Sequence, residues 1–183
     1  MSKTTWIKIS DIQNNKKTDE KVKIRGWIYR TRSSGNIVFT VIRDSSGTLQ
    51  ATVKKGNLSD DEFEDAKQAL IESSIEITGH VKKDERAPGG FELKVTGFNV
   101  LNFAEPFPIT KDQSPEFLLD KRHLWIRSQR LTAILKIRST IVGAIHKFFR
   151  KKGYYEFDAP VLQPNQCEGG STLFEVKYYE DKI

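Results

Sequence analysis

The stretch from Lys21 to Val53 constrains this chain most. Apolar residues recur there at every second position, and two clusters rich in serine and glycine interrupt them. In KVKIRGWIYRT, Val22, Ile24 and Ile28 alternate with charged neighbours. Successive side chains on an extended backbone point to opposite faces, so this alternation predicts a half-buried strand. Gly26 interrupts the run and predicts a bulge or a sharp coil at that point. Ser33-Ser34-Gly35-Asn36 predicts a turn. IVFTVIRD then predicts a second strand, with Ile37, Phe39 and Val41 on one face and Val38, Thr40 and Ile42 on the other. Asp44-Ser45-Ser46-Gly47 turns the chain again, into a third strand, TLQATV.

The period then changes. Ser59 followed by Glu62 is the capping-box pattern of a helix start, and Phe63, Ala66 and Leu70 fall at helical spacing. Two further strands, Ser74–Lys83 and Phe91–Val100, flank the turn-rich DERAPGG. Three strands, a helix and two strands is the element order of an OB-fold, a partly open five-stranded barrel. SH3-like barrels and pieces of sandwiches also give five short strands. The helix between the third and fourth strands favours the OB-fold.

The face that would bind carries suitable chemistry. Phe39 lies mid-strand beside what the first and third strands bring, namely Arg30, Arg32 and Gln50. A ring next to cations is a platform on which a nucleic-acid base can stack. Gln50 could add directional hydrogen bonds to a base edge. The plainer alternatives are that Phe39 is barrel core and that Gln50 merely faces solvent.

Residues 102–118 contain a cluster of prolines without sustained periodicity and predict an extended connector between a domain at 1–101 and another at 119–183. Ser128 is a suitable N-cap for a long helix. Leu131, Ile134, Leu135, Ile141, Val142, Ile145, Phe148 and Phe149 form one apolar stripe along it. Arg150, Lys151 and Lys152 lie at its negative end, and Gly153 is placed to terminate it. Tyr154 to Val161 predicts a short strand with Pro160 at an edge or interface. The stripe has more apolar surface than so short a segment can cover, which predicts packing on a further sheet, another subunit, or both.

Composition narrows the partners. No apolar run reaches the roughly 20 residues of a membrane span. MSKTTWIKISD lacks the hydrophobic segment of a secretory signal, so the expected compartment is the cytoplasm. One cysteine and three scattered histidines offer neither a disulfide nor a metal-ligand spacing. The net charge is +6, and Lys121 to Tyr155 holds no carboxylate, which suits an anionic partner or simply a solvated helix face.

The basic helix end followed by KKGYYEFDAPVL resembles motif 1 of the class II aminoacyl-tRNA synthetases. RGWIYRTRSSGNIVFTVIRDSSGTLQ and LLDKRHLWIRSQR resemble the anticodon-binding domain and connector of subclass IIb, the aspartyl, asparaginyl and lysyl enzymes. The loop Cys167-Glu168-Gly169-Gly170-Ser171-Thr172-Leu173-Phe174 is most similar to the asparaginyl form. The resemblance implies an OB-fold barrel followed by the start of an α+β synthetase catalytic domain made of the long helix, a strand and a loop. It implies a ligase that attaches asparagine to tRNA through an aminoacyl-adenylate, with ATP and Mg2+ serving the full enzyme. The aspartyl enzyme and a standalone OB-type RNA-binding module are the alternatives.

Residue by residue, the resemblance implies that Phe39 stacks on the central anticodon uridine and that Gln50 hydrogen-bonds that base. Arg32 or Arg30 would contact the neighbouring backbone. Glu168 would bind the substrate's α-ammonium, with Gly169, Gly170 and Ser171 in the loop that closes over the amino acid. Gly153 and Pro160 belong to the motif that builds a homodimer interface. Neither the motif 2 arginine nor the glycine-rich motif 3 is found in this stretch of 183 residues. No catalytic residue or metal ligand is therefore expected within it, and no ATP or Mg2+ site of its own. This stretch by itself is expected to catalyse no asparagine-dependent pyrophosphate exchange; measurable exchange would overturn that expectation.

Overall fold

The computed structural model describes residues 6–15, 19–162, 176–178 and 181–182. The chain divides into two compact units, Met1–Gln113 and Ser114–Ile183. The first is a closed barrel of five strands in the order β1-β2-β3-β5-β4. These are β1 (Lys21–Ser34), β2 (Ile37–Arg43), β3 (Thr48–Lys54), β4 (Ser74–Lys83) and β5 (Phe91–Asn102). All neighbours pair antiparallel except β3 and β5, which run parallel. The predicted alternation holds over much of each strand, and Val22, Ile24, Ile28, Val38, Ile42, Leu49, Ile75, Ile77, Leu93 and Val95 point into one continuous apolar core; it changes phase past Ile28 in β1 and past Val95 in β5.

Gly26 plays a different part from the predicted bulge. It pairs regularly with Ile75, and the register of β1 slips further on, between Ile28 and Arg30. A Cβ at Gly26 would stand 2.4 Å from the carbonyl oxygen of Arg43. The missing side chain lets the end of β2 approach β1 where β1 exchanges β4 for β2 as its partner.

Two helices dress the barrel. Helix α1 (Ile9–Asn15) was not legible in the sequence, because its cap comes from far along the chain. Asp44 Oδ2 accepts from the Ile9 amide at 2.9 Å and Ser46 Oγ accepts from the Ser10 amide at 2.9 Å. Asp44 also holds its own turn, its Oδ1 accepting from the amides of Ser46 and Gly47. Ile9 and Ile12 are thereby fully buried.

Helix α2 (Asp60–Gln68) starts with the predicted capping box: the Ser59 side chain accepts from the Glu62 amide, and Glu62 accepts from the Ser59 amide. Glu62 also accepts from the Phe98 amide of β5 at 3.1 Å, so one carboxylate both caps the helix and ties it to the barrel. The helix ends two residues earlier than its spacing suggests. Ala69 leaves helical backbone and is buried in the place expected for Leu70, which is exposed.

In the second unit, α3 (Pro115–Asp120) is capped by Ser114 and followed by the single turn α4 (Arg122–Trp125). Helix α3 thus begins inside the stretch read as connector. Helix α5 (Gln129–Lys151) has 23 residues, with the Ser128 hydroxyl accepting from the Leu131 amide. Gly153 ends it at φ +87°, with its amide donating to the Arg150 carbonyl. That left-handed conformation favours glycine because it lacks a Cβ. No residue of α5 is buried, and its apolar stripe from Ile134 to Phe149 is exposed. The strand expected over Tyr154–Val161 is absent. That segment has no ladder partner among the described residues, and extended backbone is not a strand until its amides are paired. It is held to α5 by side chains instead. Glu156 receives His146 at 2.6 Å and also pairs with Arg150, while Tyr154 meets Phe149 edge-on. A two-residue hairpin ladder, β6 (Lys177–Tyr178) with β7 (Asp181–Lys182), follows. Among the described residues no helix is long and apolar enough to cross a membrane.

Gly26→Ala should destabilise the barrel by roughly 1–3 kcal/mol, since the clash is with backbone that cannot move aside; a chemical-denaturation midpoint equal to wild type would refute this. Glu62 gives a pH signature. Partial burial opposes its ionisation, but the hydrogen bonds from Ser59 and Phe98 outweigh that and hold its carboxyl below the usual value. A lowered folded pKa contributes stability above the unfolded value, about 4.3, which is lost as pH falls through the folded one. The wild type should therefore lose its margin over Glu62→Gln below about pH 4.3 in thermal melts. Parallel melting curves across that range would remove the role assigned to Glu62.

Candidate nucleic-acid interface

The outer face of β1, β2 and β3 assembles the predicted binding residues. The half-buried ring of Phe39 points outward, while Val38, Thr40 and Ile42 fill the core, so the ring is not barrel interior. Arg32 stands directly opposite Phe39 on β1, and its guanidinium lies 5.2 Å from the ring centroid. Cations over a ring face are attracted to the quadrupole, and a guanidinium also offers a second flat surface. Arg30 behaves differently. It stands opposite Val41, and its guanidinium lies 5.3 Å from the ring of Tyr29, which Arg43 approaches at the same distance. Arg32 is therefore the cation coupled to the Phe39 platform, and Arg30 flanks it.

On the other side, β3 sets Thr52 opposite Phe39 and Gln50 opposite Val41. Here the structure brings in a residue that sequence reasoning missed. Glu92 of β5 pairs in register with Gln50, accepting from the Gln50 amide nitrogen at 3.4 Å and from the Thr52 hydroxyl. Ile37, Phe39, Gln50, Thr52 and Glu92 floor an open groove, and Lys54, Lys94 and Arg86 stand along its rim with Asp84, whose carboxylate pairs with Arg86. The alternation of FELKV already put Glu92 and Lys94 on one face. Nothing in the sequence showed that β5 lies beside β3, because a parallel neighbour is not joined by a tight turn.

The groove has a definite chemistry. Its floor offers a flat ring, an amide that both donates and accepts, and an acceptor-only carboxylate. Uracil presents acceptor, donor and acceptor along one edge, which a primary amide complements. Glu92 repels phosphate from the floor and welcomes a base N–H, whereas the rim cations attract phosphate. Bases inward and backbone outward is the arrangement by which single-stranded RNA is read.

The remaining predicted residues belong to the second unit. Gly153 terminates α5, and Pro160 lies exposed in the segment without regular structure. Glu168, Gly169, Gly170 and Ser171 lie outside the described residues. Among the described residues, no group of three or more His, Cys, Asp or Glu side chains could hold a metal ion.

Comparisons with known proteins divide the chain in the same two parts. Residues 22–101 match the family described as OB-fold nucleic acid binding domain, and residues 114–182 match tRNA synthetases class II (D, K and N). Asparagine–tRNA ligase of Thermoplasma acidophilum is 46% identical over 177 residues, covering 97% of this chain and 41% of the relative. The enzyme of that name from Thermus thermophilus is 42% identical, covering 88% of this chain and 37% of the relative. Among solved structures, asparaginyl-tRNA synthetase from Pyrococcus horikoshii complexed with asparaginyl-adenylate superposes with a TM-score of 0.85 at 37% identity. That match covers 100% of this chain and 42% of the other. The chain thus spans about two fifths of the length of the relatives it matches.

Proposed function

With residues 22–101 belonging to the OB-fold nucleic acid binding domains and residues 114–182 to the class II tRNA synthetases of the D, K and N group, we propose that the chain serves an asparagine–tRNA ligase. In the whole protein asparagine would be attached to its tRNA through an adenylate formed from ATP. This stretch would supply anticodon recognition, the dimer motif and one amino-acid-binding loop. The observation that carries the RNA role is the outward Phe39 ring with Arg32 on it and Gln50 beside it. Asparagine rather than aspartate is favoured by the names of relatives at 42–46% identity.

In this reading the central anticodon base stacks on Phe39, Gln50 reads its edge, and Arg32 beside the ring, or Arg30, contacts the neighbouring backbone. Phosphates of the loop rest on the rim cations. The exposed stripe on α5, with Gly153 and Pro160 beyond it, is the surface of a homodimer and of the rest of the catalytic domain. Burying it is favourable at about 25 cal/mol per Å² of apolar area. Glu168 would receive the α-ammonium of asparagine, and Gly169, Gly170 and Ser171 would let the loop close. Mg2+ would accompany ATP in the whole enzyme. A cytoplasmic location suits the RNA-binding role.

Phe39→Ala should weaken binding of a hairpin RNA with a central loop uridine by about 1–3 kcal/mol. Fluorescence titration reads this directly, and unchanged affinity would remove the stacking role. Binding should also weaken with added salt, because lysine and arginine release counterions from phosphates. An affinity independent of salt would argue against RNA as the partner.

A further inference from the structure

The barrel's hydrogen-bond register links the groove to a surface that the function above does not use. Directly opposed residues run from strand to strand as a single row: Arg32, Phe39, Thr52, Lys94, His80 and Lys21. The row leaves the groove at Lys94 on β5, crosses β4 at His80 and arrives at Lys21 on β1. Because β1 pairs with both β2 and β4, the row starts and finishes on the same strand, winding around the barrel. All three residues of the second half lie on the outer face, with Lys21 and Lys94 exposed.

The neighbouring cations on this side have carboxylate partners. Lys23 and Arg25 both pair with Glu76, at 2.6 and 3.1 Å, and lie 4.3 and 4.0 Å from the ring of Trp6. Lys82 pairs with Asp19. By contrast, among the described residues no carboxylate forms an ion pair with Lys21 or Lys94. His80 stands between them, with Nδ1 3.5 Å from the Asp19 carbonyl oxygen. Lys21 and Lys94, which no carboxylate pairs with among the described residues, thus stand on one row, and that row is continuous with the floor proposed to read bases.

We propose that Lys94, His80 and Lys21 form a phosphate track that carries the RNA backbone from the groove around the β5–β4–β1 side of the barrel. This deepens the reading of the groove as an RNA site and rests on it. The dimensions suit a nucleic-acid strand. Lys94 and Lys21 are two strand spacings apart, about 10 Å. A backbone that carries one charge on every nucleotide can meet both lysines over this distance. A track of this kind positions the RNA without reading its sequence, since phosphate contacts fix register while base contacts specify. Glu92, at the groove floor, keeps phosphate away from the bases' side of the row.

The test compares this chain with Lys21→Gln, Lys94→Gln and the double variant, binding a hairpin RNA with a central loop uridine and the same hairpin with cytidine there. Each substitution should lower the slope of log affinity against log salt by about 0.7 to 1. It should weaken both hairpins by the same factor. Lys82→Gln removes an equal charge that Asp19 already neutralises, and should leave the slope within error. The track is refuted if the double variant keeps the wild-type slope, or if Lys82→Gln lowers it as much as Lys21→Gln does. Should the double variant melt early by circular dichroism, the two single variants at exposed positions carry the same comparison. Binding weakened by Phe39→Ala but untouched at Lys21 and Lys94 would sink the track and leave base reading standing. No hairpin binding by wild type would sink both.

Discussion

The barrel depends on one long strand that changes partner along its length. Strand β1 pairs with β4 from Lys21 to Trp27 and with β2 from Trp27 to Ser34. The exchange is possible only where backbones come very close, and there Gly26 leaves room for the Arg43 carbonyl. Around this point the chain is stitched by further contacts. Arg43 meets both oxygens of Glu72 at 2.7 and 2.9 Å, and the Ile28 amide and carbonyl bond to Ser73 and Glu72. Closure leaves no long free edge on the sheet, which is how barrels avoid pairing with other chains.

Function follows from that closure. In a flat sheet of the same strand order β1 and β4 would be opposite edges, and the row of outward residues would stop at His80 without reaching Lys21. Wrapping the same strands makes their outward residues a continuous path, with aromatic and amide groups at one end and cations at the other. Single-stranded RNA needs both: a surface that engages bases and another that neutralises the backbone. In the proposed RNA-binding role Glu92 would sharpen the division, because a carboxylate on the floor would accept from bases and turn phosphates away.

Much of the architecture was legible because it rests on local chemistry. The strand faces followed from alternation, the start of α2 from Ser59 and Glu62, and α5 from Ser128, the apolar stripe and Gly153. Where reading failed, a distant partner decided. Helix α1 is capped by Asp44, whose sequence separation from Ile9 is 35. Leu70 continued a helical pattern that Ala69 breaks. Tyr154 to Val161 has the composition of a strand without a partner strand among the described residues, so side-chain contacts to α5 replace a ladder.

The sequence by itself determined which face each residue takes, where the chain turns and which family its motifs resemble, since periodicity, capping and turn chemistry are properties of neighbouring residues. It did not determine which strands lie side by side. That required the fold, because a strand's alternation names its inner and outer faces but not its neighbour across the ladder. Only the tertiary structure put β5 beside β3, brought Glu92 against Gln50 and Thr52, and aligned Lys94, His80 and Lys21 into one row. The physical reason is the same in each case: hydrogen-bond register between distant segments is settled by closing the barrel around its core.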